Sequence, residues 1–86
     1  MPVLSKFYGI VIRMLTARAL TPRFHALYGG AELIVEIPTL RIITGSVPLR
    51  VVELVLEWAA QHQRELMEAW NRYLRALPPP QIAPLQ

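Results

Sequence analysis

Two periodicities divide this chain. In the first half the apolar positions come in short runs and alternations that predict strands, and in the second half they recur with the period of a helix. Residues 6–14, rich in aromatic and β-branched types, read as one strand, and residues 15–21 lose the pattern and read as a loop. Pro22 opens a second strand, at a position where a missing backbone donor is tolerated. Gly29 and Gly30 fit a two-residue hairpin turn with positive φ at both positions. That turn fixes a register in which Tyr28 faces Ala31, Ala26 faces Leu33, Phe24 faces Val35 and Pro22 faces Ile37, a wholly apolar set. The opposite side then pairs Leu27 with Glu32, His25 with Ile34 and Arg23 with Glu36, and a slip of one residue would mix the two sets. With Pro38-Thr39 as the next turn, residues 40–44 form a further strand, in which Leu40 faces Ile37, Ile42 faces Val35 and Arg41 faces Glu36.

Gly45-Ser46-Val47-Pro48 punctuates the chain before a helix, with Ser46 as the expected cap and Pro48 in the first turn. From 49 to 77 the pattern is amphipathic. Val51, Val55, Trp58, His62, Leu66, Ala69, Trp70 and Tyr73 fall on one side, and Arg50, Glu53, Glu57, Gln61, Arg64, Glu68, Asn71 and Arg75 on the other. An unbroken helix of that length would run roughly 40 Å, against about 25–30 Å for so small a domain. Either it breaks near Gln61-His62-Gln63, or its end projects and presents Trp70, Tyr73, Leu74 and Leu77 as a patch for a partner. Pro78-Pro79-Pro80 stops it. The expected fold is α+β: a three- to four-stranded antiparallel meander with one face packed by a long C-terminal amphipathic helix. The expected organisation is one domain over 1–77 and a Pro-rich, extended or disordered tail over 78–86.

Composition sharpens this picture. Eighty-six residues make one domain, with 53% hydrophobic and only 17% charged residues, an apolar balance that suggests surface covered by another chain. The most apolar stretch, 51–60, is broken by Glu53 and Glu57, so no membrane span is expected. The N-terminus reads as no secretory signal, and a cytoplasmic location is the default expectation. The absence of cysteine excludes a disulfide framework and a cysteine zinc site. The net charge of +3, with nine basic residues against six Glu, permits nucleic-acid binding but supports it weakly.

Candidate chemistry is sparse. His25, on the polar side of its strand with Arg23, Glu36 and Arg41 as neighbours, has the residue type for a general acid or base, and the two arginines suit a phosphate. The competing structural reading is a surface histidine in a cross-strand charge row. His62 and Glu65 form a His-x-x-Glu pair of the kind found in carboxylate metal sites. Such sites use a second pair on another helix, so no metal and no cofactor is assigned, and His62 is expected at the core boundary, donating to backbone or sheet. Phosphate-cradling glycine loops, nucleophile elbows and His-Glu-x-x-His motifs are absent.

The segment Thr21-Pro22-Arg23-Phe24-His25-Ala26-Leu27-Tyr28-Gly29 resembles the Pro-Pro-His-Phe-His-Ala-x-Tyr-Gly motif of a family of small bacterial proteins classed as a domain of unknown function. The resemblance extends through Phe7-Tyr8-Gly9-Ile10, Gly45, Pro48, Arg50, Leu54-Val55, Glu57-Trp58, His62, Glu65-Leu66 and Trp70. It implies one half of a two-gene, toxin–antitoxin-like module. The family's Asp-His before the motif is missing, and Arg23 stands where the family has a further histidine, which removes most of a histidine set. Two functions follow. The first is an interaction subunit that binds a small partner protein or itself, through the helix end or a free sheet edge. The second, placed behind it, is a metal-independent ribonuclease-type toxin with His25 as base and Arg23 and Arg41 on the phosphate, supported by His62, Glu65 and Glu36.

Overall fold

The computed structural model describes residues 3–15 and 21–86. Five strands, β1 (Val3–Phe7), β2 (Ile10–Arg13), β3 (Arg23–Tyr28), β4 (Ala31–Glu36) and β5 (Ile42–Gly45), precede two helices, α1 (Leu49–Gln61) and α2 (Gln63–Leu74). The strands form one antiparallel sheet in the order β1-β2-β3-β4-β5. The architecture is therefore the expected α+β meander, with five strands in place of three or four and two helices in place of one. Most of the loop expected at 15–21 falls on residues 16–20, outside the described residues.

The additional strand comes from a turn hidden in the first apolar run. Tyr8 and Gly9 have φ of 49° and 79°, and Phe7 pairs with Ile10 on either side of them. Positive φ at both central residues matches the right-handed twist of a hairpin, so the single strand expected over 6–14 is two. Near the start of β1 the register shifts between Val3 and Ser5, and both Leu4 and Ser5 are buried there. The β3–β4 register is the expected one residue for residue, from Arg23 opposite Glu36 to Tyr28 opposite Ala31. Its turn differs in one respect: positive φ falls at Gly29 and not at Gly30.

The β4–β5 connection is longer than the expected two-residue turn. The Glu36 N–H donates to the Arg41 carbonyl (2.8 Å) and the Leu40 N–H to the Glu36 carbonyl (2.8 Å), with Leu40 at φ 60°. Residues 37–40 thus make the turn, because proline at 38 cannot take the positive φ of a two-residue hairpin. Val35 still pairs with Ile42. At the far end of β5, Gly45 has φ 112°, and a Cβ there would lie 2.2 Å from the Glu32 carbonyl oxygen. Glycine is therefore required at that position by both conformation and space.

The helices cover the apolar side of the sheet. Trp58 is fully buried at the centre of the core, its ring 5.3 Å from Phe7 and 6.0 Å, edge-on, from Phe24. Val51, Val55, Leu66, Ala69 and Trp70 are also buried, and every residue predicted for the polar side of the helix is exposed. Ser46 does not cap α1. Pro48 is the N-cap, without a side-chain bond, and its carbonyl accepts from Val51 and Val52. The helical run breaks at His62 (φ −125°, ψ 23°), which resolves the length conflict in a molecule whose longest dimension is 33 Å. At the break, Gln63 Nε2 donates to the carbonyls of Ile37 (2.8 Å) and Pro38 (3.2 Å), tying the helix junction to the β4–β5 turn.

Residues 78–86 have no regular secondary structure, yet they pack. Ile82 and Leu85 are buried in the core cluster. The Ile82 N–H donates to the Leu4 carbonyl (2.8 Å), Gln81 Nε2 to the Val3 carbonyl (3.3 Å), and Trp58 Nε1–H to the Ala83 carbonyl (2.8 Å). The tail thereby covers the outer edge of β1.

Candidate functional site

The side of the sheet away from the helices carries the predicted polar residues in rows set by the pairing. One row runs Lys6, Val11, Leu27, Glu32, and the next runs Arg13, His25, Ile34, Thr44. Arg23 and Glu36 face each other beyond these. His25 is only 5% exposed, and its Nδ1 lies 2.8 Å from Glu32 Oε2. Glu32 is its diagonal neighbour across β3 and β4, whose side chains also come within reach in a sheet.

The three residues proposed for catalysis do not converge on one point. The Arg23 guanidinium turns to its own strand entry, donating from one terminal nitrogen to Thr21 Oγ1 (2.9 Å) and from Nε to the Thr21 carbonyl (3.3 Å). Arg41 is exposed, and its backbone N–H donates to Thr39 Oγ1 (3.2 Å). Glu36 accepts from the Thr39 hydroxyl (2.5 Å), and among the described residues it makes no ion pair with Arg23 or Arg41. A residue that sequence reasoning missed stands closer: Arg13 is directly opposite His25, and its buried Nε has no hydrogen-bond partner among the described residues. The Tyr8-Gly9 turn would have revealed it, because that turn sets which β2 residues share a side with β3.

His62 sits at the helix junction with Nδ1 2.6 Å from Glu65 Oε1 and its ring 5.4 Å from Trp58. It thus bonds a carboxylate one turn on, in the first turn of α2, where a negative charge is favoured. Among the described residues no group of three His, Cys, Asp or Glu side chains could hold a metal ion. No helix among them is long and apolar enough to cross a membrane.

The helix end is mixed in character. Trp70 is 4% exposed and belongs to the core; Tyr73 is half-buried with its ring 6.2 Å from that of Trp70; Leu74 and Leu77 are exposed. Tyr73 and Leu77, with Val3, Pro78 and Pro79, line an open groove of about 610 Å³. The sheet edges differ more sharply. The tail covers β1, whereas all four residues of β5 are exposed, with Ile42 at 43% and Ile43 at 39%.

The profile of a family described as Domain of unknown function (DUF4160) matches residues 9–71, well over half of the chain. The chain belongs to this family. The DUF4160 match spans β2 through most of α2 and leaves out β1 and the tail, two segments that pack on each other. No curated protein and no solved structure matches the chain.

Proposed function

We propose that this DUF4160 protein is an interaction subunit that acts by binding another protein chain, of the kind expected in a two-gene, toxin–antitoxin-like module. One observation carries this reading: the chain spends its own tail on one sheet edge and, among the described residues, leaves the other uncovered. Edge strands offer unpaired backbone donors and acceptors, and proteins guard them with short length, bulges, charges, proline or a covering segment. β5 is short and carries a bulge at Ile43, but it has no charge, no proline and no covering segment among the described residues, and its two isoleucines are exposed. Leu74 and Leu77 add a second exposed apolar feature at the end of α2.

The ribonuclease reading has less support. It requires His25 open to solvent with Arg23 and Arg41 aimed at a common phosphate. Instead the His25 ring is buried beside Glu32 and Arg23 is held by Thr21.

The test is mass by light scattering, for the purified protein alone and after co-expression with the product of the neighbouring gene. A stable complex in either sample is expected. A monomer of 9.8 kDa in both, with amide exchange in β5 unchanged by the neighbour, would overturn the reading.

A further inference from the structure

We infer that β5 pairs with β5 of a second copy, antiparallel and about a two-fold axis, joining two five-stranded sheets into one of ten strands. This deepens the interaction reading and rests on it, naming the partner as the chain itself.

The argument begins with availability. The sheet has two edges, and the tail occupies β1 through the Ile82–Leu4 and Gln81–Val3 bonds. β5 is the edge left over. Next comes self-complementarity, which a two-fold contact demands, since the same patch must serve on both sides. A two-fold axis at Ile43, perpendicular to the sheet, sets Ile43 of each copy against Ile43 of the other, Ile42 of each against Thr44 of the other, and Arg41 of each against Gly45 of the other. No charge then faces a like charge. The β-branched isoleucines form cross-strand pairs of a favourable type. The bulge contributes as well: β4 opposes Val35 with Ile42, then shifts register before Ile34–Thr44, so Ile43 is the additional residue. Among the described residues its side chain has no cross-strand partner, and the pairing supplies one.

The size of the contact sets its strength. A stable interface buries about 1,200–2,000 Å² in total, and a four-residue edge alone falls short of that. The dimer is therefore weak and depends on concentration.

The test is a light-scattering dilution series on the full chain, run beside amide exchange at high and low concentration. The mass should climb from 9.8 kDa towards twice that value as concentration rises, while exchange at residues 42–44 slows. Ile43→Lys should hold the mass at the monomer value with an unchanged circular dichroism spectrum, and Leu74→Asp should leave the dimer intact. Ile42→Lys serves as the second variant if Ile43→Lys folds poorly. A monomer at every concentration would overturn self-pairing. If the neighbouring gene product then protects residues 42–44, the interaction reading survives with a different occupant. A dimer lost in Leu74→Asp and kept in both lysine variants would also overturn it and move the interface to the helix end.

Discussion

The two edge strands of the sheet are both short and meet opposite fates. β1 (Val-Leu-Ser-Lys-Phe) and β5 (Ile-Ile-Thr-Gly) are largely apolar. β1 is mostly buried, with Leu4 and Phe7 in the core and Gln81 and Ile82 bonded to its outer edge, and β5 is exposed throughout. Strand composition therefore does not decide whether an edge is guarded. What decides it is whether a distant part of the chain can reach the edge and bury something of its own in doing so. The tail can, because Ile82 and Leu85 enter the core and Ala83 satisfies the Trp58 indole N–H.

The largest test of this contrast removes the guard. Ile82→Asp places a carboxylate in a fully buried site and should cost about 3 kcal/mol or more, read as a lowered urea midpoint, with amide exchange in β1 rising towards that of β5. Unchanged exchange in β1 would mean that the tail merely rests on the edge. A somewhat smaller loss, of about 2 kcal/mol, is expected for Gly45→Ala, which forces a Cβ against the Glu32 carbonyl in a conformation L-residues avoid. It should free β5 from β4 while leaving β1 protected. An alanine variant as stable as the parent would show that β5 is held by something other than the close approach of Gly45. The smallest effect is a gain. Tyr8 is exposed and left-handed, so Tyr8→Asn creates the favoured Asn-Gly turn and should raise stability by about 1 kcal/mol. No shift in the midpoint would place the strain of the β1–β2 hairpin elsewhere.

Much of the frame was legible from residue types alone. The Gly-Gly turn and the alternation around it specify the β3–β4 register, because any slip would bury charge. Helical period and chain length together predicted a break at Gln61-His62-Gln63 as one of two outcomes, and His62 is where it occurs. The Tyr8-Gly9 turn escaped notice because aromatic and β-branched residues surround it, and strand propensity masked a single glycine. Tail burial escaped for the opposite reason: prolines dominate the segment, and Ile82 and Leu85 give no periodicity. At the polar side, adjacency in register suggested Glu36 for the His25 neighbourhood, but twist and reach favour the diagonal Glu32, while Thr39 in the turn takes Glu36. Arg13 could be placed only once β2 was recognised as a strand of its own.

The bond between Gln81 and Val3 joins residues 78 positions apart in a chain of 86. Closing a loop that long carries a large entropic penalty, and contacts of such separation form slowly. During synthesis the first strands emerge from the ribosome long before the residues that shield them exist. Until residues 81–85 have been made, both sheet edges lack a cover, and once they dock only β5 does.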